Sequence, residues 1–156
     1  MKDFEIKITD TLRSVLKSEK EFLHEPRFSN EEIKNLKNCI QSTFVSTVGQ
    51  YVNQFENEIA NYTKSQRAIA VINGTSALHI ALKLSGVSEG EEVICPALTF
   101  VATANAISYL NAIPHFVDCN EETLGIDPLS LINWLEKNCE KNSGNLINKK
   151  TGRKIS

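Results

Sequence analysis

Apolar positions in the first part of the chain recur at helical spacing, whereas those further on gather into short runs, so the two parts predict different architectures. Phe4, Ile8, Leu12, Val15 and Leu16 fall on one stripe and predict an amphipathic helix. The chain breaks near Pro26. Ser29-Asn30-Glu31-Glu32 then sets a Glu three residues after a Ser, the spacing at which a cap residue and the third helical residue satisfy each other's N–H groups. Ile33, Leu36, Cys39 and Ile40 give this second helix its apolar side. Ser46-Thr47-Val48-Gly49 reads as a turn, and Val52, Phe55 and Ile59 mark one face of a third helix.

From residue 67 the rhythm changes. Arg67 to Ile72 is a short apolar run ended by Asn73-Gly74, which predicts a buried strand. Thr75 to Leu84, rich in Ala and Leu, predicts a helix closed by Gly86. Glu92 to Cys95 predicts a second strand stopped by Pro96, Phe100 to Leu110 a second helix, and Ile113 to Cys119 a third strand. Asp127-Pro128 supplies a cap and a first-position proline for another helix, with Leu129, Ile132, Trp134 and Leu135 on its apolar side. Strand-then-helix units in series predict an α/β fold with a mainly parallel sheet. The boundary between the helical segment, 1–62, and the α/β part, 63–156, falls where the period changes. Lys137 to Ser156 carries six basic residues and one acidic residue, Glu140, with turn signals at Asn142-Ser143-Gly144-Asn145 and Thr151-Gly152. This tail reads as a solvated loop, with Ile155-Ser156 at the start of a further strand-like element.

Composition narrows the class without changing that outline. The 156 residues are 41% hydrophobic and 23% charged, with 7 Gly and 4 Pro, which excludes collagen-like, mucin-like and largely disordered chains. A net charge of −2 gives no electrostatic case for nucleic acid or an anionic membrane. The basic tail lacks the interleaved aromatic residues of a single-strand binder. No window approaches the ~20 apolar residues of a membrane span, and the N-terminus shows no apolar signal region, so a cytoplasmic location is expected. Cys39, Cys95, Cys119 and Cys139 are far apart with no C-x-x-C pair, and His24, His79 and His115 are isolated. Reduced thiols and no metal site are the expectation.

The most informative stretch is Val71-Ile72-Asn73-Gly74-Thr75-Ser76-Ala77-Leu78, where a strand gives way to a helix. A first helical turn offers free N–H groups and the positive end of the helix dipole, and Thr75 and Ser76 add hydroxyl donors. Together these suit a phosphate group. Gly74 would let the backbone turn tightly and come close to a ligand. A plainly capped helix would show the same residues, so both readings stand here. Neither G-x-x-x-x-G-K-[ST] nor G-x-G-x-x-G occurs, which points away from a standard nucleotide loop and towards a smaller phosphorylated cofactor. Phe100 follows the Glu92–Cys95 strand, at the carboxyl end where α/β sheets bind ligands. It offers a flat face to an aromatic ring, or it is simply core.

These residues resemble the N-terminal part of the DegT/DnrJ/StrS family of pyridoxal-phosphate-dependent sugar aminotransferases. The matching stretches are Val48-Gly49, Val52, Phe55-Glu56, Asn73 to Leu78, Glu91 to Pro96, Thr99 to Thr103 and Ile113 to Asp118. Val45 to Gly49, Ala104 to Tyr109, Leu124 to Pro128 and Asn148 to Arg153 further resemble the branch that includes legionaminic-acid pathway aminotransferases.

The resemblance implies an incomplete three-layer α/β/α sandwich of fold type I with pyridoxal 5'-phosphate as cofactor. The implied substrates are a nucleotide-linked keto-sugar and an amino donor, usually glutamate. Thr75 and Ser76 would hold the cofactor phosphate, Gly74 would shape that turn, and Phe100 would stack on the pyridine ring. Ser46, Thr47 and Gly49 would lie near the sugar. The Schiff-base lysine and the acid facing the pyridine nitrogen lie further along in the family, so no catalytic residue is assigned in this chain. Lys83 sits about two turns along its helix from the phosphate turn and is no substitute. The expectation is therefore a truncated or split enzyme, inactive alone, with a homodimer partner or a complementing fragment. The alternatives are a non-catalytic phosphate-binding or dimerisation module, or a gene remnant.

Overall fold

A computed structural model describes residues 2–16 and 24–156 of the chain. The chain forms two compact units, one running to Ala68 and one beginning at Ile69.

The first unit is helical: α1 (Lys2–Val15), α2 (Asn30–Ser42) and α3 (Gln50–Thr63). The reciprocal cap expected at Ser29 is formed. Ser29 Oγ accepts the Glu31 N–H at 3.2 Å, and the Glu32 carboxylate accepts both the Ser29 N–H and its hydroxyl. That hydrogen bonding holds the Glu32 carboxyl below the usual carboxylate range. The helix stops at Thr43, in the left-handed region at φ 65. The turn that follows closes on Gly49, whose N–H donates to the Ser46 carbonyl at 3.1 Å. A Cβ on Gly49 would stand 2.8 Å from the Phe44 carbonyl oxygen, so this turn admits only glycine. Gly49 is the single buried residue among those described in this unit, and the predicted apolar stripes of all three helices are largely exposed.

The second unit is α/β. Its elements are α4 (Gly74–Leu84), β1 (Glu92–Pro96), α5 (Val101–Ser108), β2 (Ile113–Val117), α6 (Pro128–Asn138), β3 (Cys139–Asn142), β4 (Asn145–Asn148) and β5 (Lys154–Ile155). They build one sheet in the order β2-β1-β5-β4-β3. β1 runs parallel to β2, from Glu92↔Ile113 to Pro96↔Val117, and parallel to β5 at Glu92↔Ile155. β4 is antiparallel to both β5 and β3.

Side-chain alternation along β1 sends its two faces to different partners. Val93 and Cys95 are buried against Ile107 and Ala112, with Leu82 of α4, Val87 and Leu110 packed around them. On the opposite face, His115 of β2 lies tilted against Trp134 of α6, ring centroids 4.2 Å apart. Helices thus flank both faces, giving the expected α/β/α layering in incomplete form.

Three expectations need correction. The run Arg67 to Ile72 is no strand: the sheet holds no place for it, and Ile69 and Ile72 are 81% and 89% exposed. A short apolar run shows apolar character and does not by itself specify burial or ladder pairing. The sheet is mixed, because β3 and β4 join it antiparallel. Those strands come from the tail read as a solvated loop. Asn142-Ser143-Gly144-Asn145 is a two-residue hairpin turn with Ser143 at φ 50 and Gly144 at φ 84, the left-handed pair that matches the twist of antiparallel strands.

Candidate functional site

α4 begins where the extended approach through Asn73 turns into the helix. Asn73 is the cap: at φ −164 its side-chain oxygen accepts the Ser76 N–H at 2.9 Å, and its carbonyl accepts the Ala77 N–H at 3.1 Å. The sequence reading gave no role to Asn73, although Asn ahead of a Gly-Thr-Ser helix start is a recognisable cap signal. With Asn73 in that place, the Thr75 and Ser76 hydroxyls stay free of capping. The Gly74 and Thr75 N–H groups make no hydrogen bond to a described residue. Gly74 does not occupy the left-handed region. A Cβ there would meet nothing within 4 Å, so the protein's own packing does not require glycine at this position.

Phe100 is the first residue ahead of α5, at φ −72 and ψ 143, and its ring is 79% exposed. The approach to it is tied to the end of β2. The Ala97 N–H donates to the Val117 carbonyl at 2.9 Å and the Leu98 N–H to Cys119 Sγ at 3.2 Å. The Thr99 and Thr103 hydroxyls meet at 2.9 Å, and the Thr103 N–H donates to the Phe100 carbonyl at 3.0 Å. Phe100 is therefore not core; it is an exposed ring on a braced loop. α4 and α5 are neighbours, with His79 edge-on to Tyr109 at 5.8 Å. Gly74, Thr75, Ser76 and Phe100 thus lie at the starts of two packed helices, while Ser46, Thr47 and Gly49 belong to the other compact unit.

The donor set fits a phosphorylated aromatic cofactor. Two open backbone N–H groups, two hydroxyls and a positive helix end suit a phosphate dianion, and an exposed Phe ring suits a flat heterocycle. Lys83, in the last turn of α4, lies about 12 Å along the helix axis from Thr75 at 1.5 Å per residue.

A second polar cluster lies on the α6 side of the sheet. Glu92 is 1% exposed. Its carboxylate accepts Thr151 Oγ1–H at 2.6 Å and Asn148 Nδ2–H at 2.9 Å, and it stands 3.2 Å from His115 Nδ1. Burial pushes the Glu92 carboxyl up. The Thr151 and Asn148 hydrogen bonds, with the charges of His115 and Arg153, outweigh burial and leave it below the usual carboxylate range. Beside it, Glu91 is also lowered, by the Ser88 N–H, Ser156 and Lys154. Sequence reading passed over Glu92 because its partners lie 56 and 59 residues away along the chain. Among the described residues, no His, Cys, Asp or Glu cluster is arranged for a metal, and no helix is long and apolar enough to cross a membrane.

Comparison with known proteins places these features in context. The family model of the DegT/DnrJ/EryC1/StrS aminotransferases matches residues 26–141. A GDP-perosamine synthase of Escherichia coli O157:H7 is 45% identical over 101 residues, covering 65% of this chain and 28% of that protein. The crystal structure of an aminotransferase from Psychrobacter cryohalolentis superposes with a TM-score of 0.66 at 35% identity, over 72% of this chain and 29% of that one. A Streptococcus pneumoniae protein described as a sugar aminotransferase, solved in a PLP form, gives a TM-score of 0.60 at 26% identity, over 69% and 27% of the two chains. The chain thus spans under a third of the length of each of these relatives.

Proposed function

The chain belongs to the DegT/DnrJ/EryC1/StrS aminotransferase family, and on that premise we propose that it forms the cofactor-phosphate half-site of a pyridoxal-phosphate-dependent sugar aminotransferase. The observation that carries this is the start of α4, where Asn73 caps the helix and leaves the Gly74 and Thr75 N–H groups open; the exposed Phe100 at the start of the neighbouring α5 supports the reading. Those N–H groups and the Thr75 and Ser76 hydroxyls hold the phosphate against the helix dipole. Phe100 stacks on the pyridine ring and fixes its plane. The bound cofactor supplies an electron sink for amino-group transfer. The substrate is a keto-sugar carried on a nucleotide, consistent with the relatives named above, and glutamate is the amino donor. The Ser46–Gly49 turn contacts the sugar. Assembly is as a homodimer, in the cytoplasm. These 156 residues alone bind the cofactor without turning over substrate, because the lysine that would carry it is not among them.

The test is titration of the chain with pyridoxal phosphate and, separately, with inorganic phosphate. Thr75→Val with Ser76→Ala should weaken both ligands by about a hundredfold, about tenfold for each hydrogen bond to a charged group. Phe100→Ala should weaken pyridoxal phosphate by a few-fold and leave inorganic phosphate unchanged. Equal loss of both ligands in Phe100→Ala would remove the stacking role. After borohydride treatment, a stable adduct on one defined lysine together with turnover would overturn the proposed inactivity.

A further inference from the structure

The family match ends at residue 141, inside β3, so β4 and the turn from 149 to 153 lie beyond it. That added segment is not tied to the sheet by apolar packing: Glu140, Lys141 and Asn142 are exposed, and Leu146 and Ile147 only half-buried. Besides the β4–β5 ladder and the buried Cys139, it is tied by side chains converging on one buried carboxylate. Glu92 receives Asn148 from the end of β4 and Thr151 from the turn, with His115 of β2 beside it. Each partner is itself engaged. Asn148 Oδ1 accepts the Lys150 N–H at 3.0 Å, the Thr151 hydroxyl accepts the Arg153 N–H at 3.3 Å, and His115 lies against Trp134. The Asn148 N–H donates to the Arg153 carbonyl at 2.9 Å and the Gly152 N–H to the Asn148 carbonyl at 2.8 Å, closing the turn around the contact. No buried side-chain nitrogen or oxygen among the described residues is left without a partner.

We propose that Glu92 is a latch that docks the segment 139–153 onto the sheet, and that this segment opens as a unit of its own when the latch is lost. A carboxylate accepts from several donors at once and donates to none, which is what a site facing an amide NH₂, a hydroxyl and an imidazole N–H requires. A glutamine there would turn an NH₂ towards at least one of those donors. Local opening is expected where a segment has few apolar contacts and is held by a two-residue ladder and a polar anchor. The charged and titratable groups facing Glu92 are His115 from β2, Cys139 from β3 and Arg153 from the turn, with the Glu91–Lys154 pair adjacent. Release would also bare β5, whose ladder with β4 at Leu146↔Ile155 and Ile147↔Lys154 would part. A bared edge invites pairing with another chain.

The experiment is native-state hydrogen exchange on the whole chain, comparing Glu92→Gln and Thr151→Val with the unaltered protein. The reporters are the N–H groups of Asn148, Lys149 and Gly152, bonded to Arg153, Asn138 and Asn148 carbonyls. The reference is α5, which carries the buried Ala106 and Ile107. Both variants should speed exchange at the reporters by about tenfold, the effect of one hydrogen bond to a charged group, and leave α5 unchanged. Equal acceleration in α5 and the reporters would overturn the latch, because Glu92 would then support the whole unit. Unchanged reporters would overturn it as well. Should Glu92→Gln fail to fold, Thr151→Val, which keeps the shape and removes one donor, decides between these outcomes.

Discussion

The side-chain oxygen of Asn73 accepts the Ser76 backbone N–H at 2.9 Å, so one donor of the first turn of α4 is already spent within the protein. The groups left for an anion are the Gly74 and Thr75 N–H and the hydroxyls of Thr75 and Ser76. Two substitutions separate capping from anion binding. Asn73→Ala should cost about 1 kcal/mol of stability through loss of the cap. Asn73→Asp should keep the cap, because Asp is as good an N-cap. It should also weaken inorganic phosphate binding roughly tenfold by placing a carboxylate beside the dianion. Thermal melts and phosphate titrations on both variants check this; unchanged phosphate affinity in Asn73→Asp would place the anion elsewhere.

Gly49→Ala should damage the turn between α2 and α3. Its Cβ would stand 2.8 Å from the Phe44 carbonyl oxygen, and backbone cannot swing aside as a side chain can. We expect a loss of about 1–3 kcal/mol, the usual range for forced overpacking. Chemical denaturation followed at Tyr51, the second residue of α3, reads it. An unchanged midpoint would mean that the turn relaxes freely.

Acid should loosen the end of the sheet around Glu91 and Glu92. Both carboxyls sit below their ordinary value in the folded chain. The unfolded chain therefore binds protons first as pH falls, and folded stability drops with it. The contribution is fully present above the ordinary carboxylate range and is lost as pH falls through the lowered folded values. Urea unfolding at about pH 7 and about pH 4 should show lower stability in acid. Glu92→Gln should flatten that dependence. A steeper acid loss in the variant would contradict the assignment.

Thiol reagents should divide the four cysteines into pairs. Cys95 and Cys139 are buried and Cys39 and Cys119 half-buried, all as free thiols. Burial pushes the Cys95 thiol up; burial, with the neighbouring Glu92 charge, does the same for Cys139. Reaction requires the thiolate and access to it, so Cys39 and Cys119 should label first. Peptide mass mapping after brief alkylation checks the order, and early labelling of Cys95 would show that the core opens readily.

What could be read in advance was what local chemistry determines. The Ser29–Glu32 cap, the Asp127-Pro128 helix start and the strands at Glu92 and Ile113 all appear as expected, because each depends on neighbours a few residues apart. The start of α4 was legible for the same reason, although its cap is Asn73. The apolar run at Arg67 to Ile72 misled, since apolar character is local but ladder pairing is not.

The sequence by itself determined the helices, the caps at Ser29 and Asp127, the α/β character of the second unit and the residues at the start of α4. Only the tertiary structure decided that the tail folds back as a hairpin, that the sheet is mixed, and that Glu92 is a buried anchor. The physical reason is separation along the chain. Caps and periodicity act over three or four residues, whereas Glu92 meets Asn148 and Thr151 only after the chain has closed loops of 56 and 59 residues. The pattern around any one of those residues does not announce such a contact.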